Sequence, residues 1–325
     1  MDDLLTHAAT KASRYLQNLD QREVWPRQEA VDRLAEFDEP LPDGPADPET
    51  VLDLLDRIGS PATVAGSGGR YFGFVNGGCL PAALAANWLA GAWDQNAGLF
   101  VTSPVGSRLE EVALGWILDA LRLPPECGGA FVTGATMANF TALAAARTAV
   151  LEQAGWDVES DGLIGAPPVT VVVGEEAHPS VTKALGLLGL GRGRVVRVPV
   201  DNQGRIRAEA FPMLGGPAIV CVQAGNVNTG SFDPIGEICA IAHPSGAWVH
   251  VDGAFGLWAA ACPARASLAA GAADADSWAT DAHKWLNVPY DSGMALVRNP
   301  AHLHRAMSLT AAYIPVSARR DPALF

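Results

Sequence analysis

From about residue 108 onward the apolar positions follow two alternating rhythms. Short apolar-rich runs predict strands at residues 129–132, 169–173, 194–199, 218–223, 247–251 and 293–297. Longer stretches with apolar residues every three or four positions predict helices at 109–121, 138–152, 179–190 and 235–243. Val169-Thr170-Val171-Val172-Val173 has no polar face to offer water, which is the pattern of a parallel strand covered on both sides. The alternation predicts an α/β fold with a mostly parallel sheet, helices on both faces, and ligands at the carboxyl ends of the strands.

Upstream the pattern changes. Residues 1 to about 34 read as a charged amphipathic helix, or a helix pair broken at Trp25-Pro26. Proline and acid dominate residues 37–50, as in an exposed linker. Thr50 or Asp47 is positioned to cap a helix that carries Val51, Leu52, Leu54, Leu55 and Ile58. So thin an arm cannot bury its own apolar stripe. Residues 1–60 are therefore expected to pack on the main domain or on a second subunit.

Composition narrows the classes. At 325 residues, 49% hydrophobic and 18% charged, the chain is globular and long enough for a large core. A formal net charge of −13 argues against nucleic acid or an anionic membrane surface as the main partner, although a small anion can still be held at a helix N-terminus. Cys79, Cys127, Cys221, Cys239 and Cys262 are widely spaced with no CxxC, which suits a reduced protein better than a disulfide framework or a zinc site. No basic leader opens the chain, and no apolar run reaches the ~18 residues of a membrane helix. A cytoplasmic location is expected.

Five segments carry candidate chemistry. Thr133-Gly134-Ala135-Thr136-Met137-Ala138-Asn139 sits between a strand end and a helix, where a tight turn and exposed N–H groups can receive a phosphate. It also fits an ordinary strand–turn–helix with a threonine cap. His178, just after the 169–173 strand, can stack on a flat ring or face solvent, and Glu175 and Glu176 beside it have no assigned role. Asn226, in Ala224-Gly225-Asn226-Val227-Asn228, is a normal turn residue that also supplies neutral donors. Asp252 ends a strand, where a carboxylate can face a protonated pyridine or cap a turn. A metal site at His250 and Asp252 lacks identifiable further ligands, so no metal is predicted. Lys284, in Asp281-Ala282-His283-Lys284-Trp285, is one of three lysines, so reactive amines are few.

Taken together, Gly134-Ala135-Thr136, His178, Val251-Asp252-Gly253-Ala254 and His283-Lys284-Trp285 resemble the group II pyridoxal-phosphate-dependent amino-acid decarboxylases. Arg70-Tyr71-Phe72-Gly73-Phe74, Asp94-Gln95-Asn96, Ser103-Pro104 and Glu110-Glu111 add to the resemblance, which runs from about residue 50 to 310. It implies an aspartate-aminotransferase-like fold type I domain over 61–310 and a homodimer. It also implies decarboxylation of an L-amino acid on pyridoxal 5′-phosphate, through a Schiff base at Lys284. Asp252 would pair with the pyridine nitrogen, His178 would stack on one ring face and Ala254 would pack on the other. Gly134, Ala135, Thr136 and His283 would surround the phosphate. Asn226 stands where many members have threonine, and Met137 replaces an acid common in the phosphate loop. Phe72, Phe74 and Tyr313 are candidate substrate contacts and lean toward an aromatic side chain. Residues 311–325 fall where members begin a mobile loop, and the small C-terminal domain that usually follows is expected to be missing. The resemblance leaves open transamination or aldol cleavage on the same scaffold, or cofactor binding without turnover.

Overall fold

Val171, Val172 and Val173 lie in one of the seven strands that form a single sheet among the described residues, and helices cover both faces of it. The computed structural model describes residues 2–309, 314, 321 and 322. By compactness the chain divides into two units, Met1–Cys79 and Leu80–Phe325.

In the first unit α1 (Asp2–Gln17) is followed by α2 (Gln28–Asp32), α3 (Pro48–Leu54) and the single-turn α4 (Ser60–Ala62). The predicted helix pair is interrupted earlier than Trp25-Pro26, because α1 stops at Gln17. Asp47 caps α3, its Oδ2 accepting the backbone N–H of Thr50 at 2.9 Å. Lys11 Nζ and His7 Nε2 reach the same Asp53 oxygen at 2.7 and 2.8 Å, and Arg14 pairs with Asp56. Water screens such exposed pairs, so they add little. The apolar anchor of this unit is Ile58, which is buried. Phe72 and Phe74 are 92% and 90% exposed, so neither is core.

In the second unit α5 (Pro81–Trp93) and α6 (Pro104–Ala120) precede β1 (Gly128–Val132), α7 (Ala135–Gln153) and the short α8 (Val158–Asp161). There follow β2 (Thr170–Gly174), α9 (Pro179–Leu187), β3 (Val196–Val198), β4 (Ala218–Gln223), α10 (Ile235–Ala242) and β5 (Trp248–Asp252). The last elements are β6 (Ser277–Asp281), β7 (Gly293–Val297) and α11 (Pro300–Met307). The sheet order is β1-β7-β6-β5-β4-β2-β3. Strands β3, β2, β4, β5 and β6 run parallel, while β7 runs antiparallel to both β6 and β1. Two reversals cancel, so β1 ends on the same edge as the parallel strands.

This is the mostly parallel α/β sheet that the alternating pattern predicts. The pattern passes over β6, because Ser277, Thr280 and Asp281 make its ends look like a turn; all five of its residues are nevertheless buried. Alternate strand residues feed the two faces. Val171, Val173 and Ile219 pack with Leu143 and Val150 of α7 and Leu185 of α9, while Val172 and Val220 join Ile235 and Ile238 of α10. Helix α7 lies close to the sheet through small residues, with Ala138 and Ala142 packed on Ala279 and Ala295. A Cβ on Gly293 would stand 2.5 Å from the Gly134 Cα, so β7 passes the turn before α7 only because no side chain is there. Among the described residues no helix is long and apolar enough to cross a membrane.

Leu143 and Met137 give a test of this burial pattern, since both lie on α7 but Leu143 is fully buried and Met137 is 40% exposed. Leu143→Ala is expected to lower unfolding stability by about 3 kcal/mol. Met137→Ala is expected to change it by less than about 0.5 kcal/mol. Urea titrations of the two variants, with unchanged slope, check the difference.

Candidate active site

The candidate residues of the second unit collect along the edge where β1, β2, β4, β5 and β6 end. Gly134 opens the turn after β1, His178 follows β2, Asn226 follows β4, Asp252 ends β5, and His283 and Lys284 follow β6. Asp252 and the β6 end are neighbours, because β5 and β6 pair in parallel register with Asp252 opposite Ala279.

Asp252 is buried, and it takes its hydrogen bonds from neutral groups: Asn139 Nδ2 donates to Oδ2 at 3.3 Å, and the backbone N–H of Ala254 donates to Oδ1 at 3.3 Å. Burial pushes its carboxyl above the ordinary range, and His178, these two hydrogen bonds and Lys284 pull in the opposite direction.

Asn139 is the hub of the site, and the sequence reading gave it no role. Its Nδ2 also donates to Ser180 Oγ at 3.1 Å. Ser180 Oγ lies 2.7 Å from His178 Nδ1, which accepts the backbone N–H of Ser180 at 3.2 Å. His178 Nδ1 is therefore the acceptor, and its N–H is Nε2. On the other side, Asn139 Oδ1 lies 2.8 Å from His250 Nε2, whose partner nitrogen Nδ1 lies 2.8 Å from Ser277 Oγ. The indole N–H of Trp248 donates to the same Ser277 Oγ at 2.8 Å. Both nitrogens of His250 are thus committed to hydrogen bonds. Burial pushes its pKa from 6.5 down to about 3, so it is neutral here.

A second cluster surrounds Asp281, also unassigned from sequence. Its Oδ1 accepts the backbone N–H of Ala135 at 2.5 Å and lies 3.5 Å from His283 Nε2, and its Oδ2 lies 3.1 Å from Lys284 Nζ. His283 Nδ1 accepts the backbone N–H of Ser292 at 3.0 Å, which leaves the proton on Nε2 facing Asp281. The His283 ring stacks on Tyr290 with centroids 4.3 Å apart. Thr136 is exposed in the first turn of α7, where the helix dipole favours an anion.

Asn226 is buried and turned to structural work. Its Nδ2 donates to Glu176 Oε2 at 3.0 Å, and its Oδ1 accepts the N–H groups of Asn228 and Thr229 at 2.9 and 3.3 Å. Glu176 thereby gains a partner: with Gln223 Nε2 donating to its backbone oxygen at 2.9 Å, it ties the loop after β2 to the end of β4. Phe72 and Phe74 belong to the first unit, and Tyr313 lies outside the described residues. A polar residue on a helix face that is otherwise apolar is the signal that would have found Asn139.

Comparison with known proteins bears on the family and the fold. The family described as "Pyridoxal-dependent decarboxylase conserved domain" matches residues 32–321. The aromatic-L-amino-acid decarboxylase of Bacillus atrophaeus is 28% identical over 284 residues, which cover 85% of this chain and 57% of that protein. The crystal structure of mouse CSAD superposes with a TM-score of 0.88 at 23% identity, covering 99% of this chain and 72% of that one. The crystal structure of Oryza sativa TDC with PLP and tryptamine superposes with a TM-score of 0.82 at 23% identity, covering 98% and 67%. The chain spans less than two thirds of the length of the Bacillus protein.

The neutral His250 has a consequence for acid stability. Between pH 6.5 and about 3 the unfolded chain binds a proton at this residue and the folded chain does not, so its contribution to stability is complete above pH 6.5 and is lost as pH falls. His250→Gln keeps a donor toward Asn139 and removes the titration. It is expected to flatten the fall of unfolding free energy between about pH 6 and 4 by up to about 1.4 kcal/mol per pH unit. Urea titrations at a series of pH values measure the slope.

Proposed function

This chain belongs to the pyridoxal-dependent decarboxylase family, and we propose that it is a lyase that removes the carboxylate of an L-amino acid as carbon dioxide, using pyridoxal 5′-phosphate held by Lys284. The observation that supports this most is the buried Asp252 beside Lys284 on neighbouring strand ends, next to the N-terminus of α7. The residues fit the cofactor. Asp252, held among the described residues by neutral N–H groups, is complemented by a protonated ring nitrogen. The start of α7 with His283 complements a phosphate.

When bound, pyridoxal phosphate offers Lys284 an aldehyde and gives the electrons of the breaking bond a delocalised sink. In this reading Lys284 makes the covalent link, and Asp252 keeps a proton on the ring nitrogen. His178 covers one ring face and Ala254 the other, while Gly134, Ala135, Thr136 and His283 hold the phosphate. Asn226 acts through the loop it ties to Glu176, setting the height of His178 beside the site. An aromatic amino acid is the favoured substrate, as it is for the Bacillus relative by its name. We assign residues 1–60 to an arm and 61–310 to the cofactor-binding domain, with residues 61–79 grouping with the arm by compactness; most of 311–325 lies outside the described residues.

The active form is read as a homodimer. Trp88, Leu89 and Trp93 on α5, and Leu109 and Trp116 on α6, are exposed, Trp116 to 73%, and a second copy of the chain would cover them. A reducing, cytoplasmic setting fits five cysteines that are all free.

Lys284→Ala is expected to abolish the visible absorption that the wild-type chain gains after pyridoxal phosphate is added and the excess removed. Asp252→Asn is expected to keep bound cofactor but to lower carbon dioxide release from aromatic amino acids by on the order of 100-fold. Keto acid or aldehyde in place of carbon dioxide would replace decarboxylation by transamination or aldol cleavage. Bound cofactor without turnover on any amino acid would leave a binding protein.

A further inference from the structure

Three donors of the site point at one atom group, and that group is the chain's own. The Ala135 N–H at the start of α7, the Nε2 of His283 and the ammonium of Lys284 lie 2.5, 3.5 and 3.1 Å from oxygens of Asp281. Asp281 is 2% exposed, so its charge is answered by these donors and hardly by water. A helix N-terminus, an imidazole N–H and an ammonium form the kind of set that holds a phosphate. Here a carboxylate fixed to β6 already occupies part of it.

We propose that Asp281 is a built-in competitor for the cofactor's phosphate: it engages the donors that the phosphate would use, and its fixed charge sets how strongly the chain prefers pyridoxal phosphate over unphosphorylated pyridoxal. The inference rests on the reading that Lys284 carries pyridoxal phosphate. A phosphate monoester brings a charge of about −1.5 to −2 at neutral pH. It must share Ala135 and His283 with a buried carboxylate that cannot leave the strand end. The ring and aldehyde of the cofactor meet Asp252, His178 and Lys284, and are the same with or without the phosphate. The penalty from Asp281 therefore falls on the phosphorylated form alone, whereas its ion pair with Lys284 affects both forms equally.

Asp281→Asn keeps the shape and an oxygen for the Ala135 N–H while removing the charge. Dissociation constants of pyridoxal phosphate and of pyridoxal are read from visible absorption, and that of inorganic phosphate from calorimetry, for the 325-residue wild-type chain and the variant. The expected result is at least tenfold tighter binding of pyridoxal phosphate and of inorganic phosphate in the variant, with pyridoxal changed less than about threefold. Equal shifts for pyridoxal and its phosphate would assign Asp281 to Lys284 alone and overturn the proposal, as would unchanged or weaker phosphate binding. A wild-type chain with no visible band from either aldehyde overturns the cofactor reading instead, and the inorganic phosphate titration then decides the role of Asp281 by itself.

Discussion

A carboxylate withdrawn from water has to find its hydrogen bonds inside the protein, and at Asp252 that requirement organises the site. One oxygen is met by the backbone of Ala254, the other by Asn139. Asn139 can serve there only if the rest of its amide is also satisfied, and Ser180 and His250 satisfy it. His250 in turn needs Ser277, and Ser277 is shared with Trp248. Each member is buried, so the loss of one leaves its neighbours with unmet polar groups, at about 1–3 kcal/mol each. The network joins β5, β6, α7 and the start of α9, which are the elements that carry Asp252, Asp281 and His178.

The sheet explains why such distant residues meet. β7 lies antiparallel between β1 and β6, which brings the turn at Gly134 beside the segment after β6. The N-terminus of α7 and the Asp281–Lys284 segment therefore approach each other although 146 positions separate Ala135 from Asp281. A continuous parallel sheet would have needed a crossover helix at this point, and the short return through Gly293 avoids it.

Much of the fold was legible in the sequence because its cause is local. Short runs rich in β-branched valine without a polar face favour buried strands, and the helices between them keep a clear period. The order of the strands was not legible, since it depends on which apolar faces match across the whole sheet. β6 escaped for a related reason: Ser277 and Asp281 look like turn residues until Trp248 and Ala135 are known to partner them. At the site, Asp252 and His178 stand at strand ends in the sequence, so their meeting could be expected from fold class, while Lys284 joined them through the family resemblance. Asn139 was legible only as a polar residue on an otherwise apolar helix face, and its partners depend on which strands cover that face. Asn226 showed its turn chemistry in the sequence, but its bond to Glu176 depends on how two loops are stacked.

The hydrogen bonds that leave Trp248 all run in one sense. An ionised carboxylate can only accept, so Asn139 turns its Nδ2 to Asp252 and its Oδ1 to His250, whose Nε2 donates to it and whose Nδ1 accepts the Ser277 hydroxyl, while Ser277 also receives the Trp248 indole N–H. Asn139 then donates to Ser180, and Ser180 to His178. No member can reverse alone without setting two protons, or two lone pairs, face to face. The carboxylate of Asp252 and the backbone N–H of Ser180 thus dictate that the His178 imidazole carries its proton on Nε2, a molecular diode whose polarity is fixed when the chain folds.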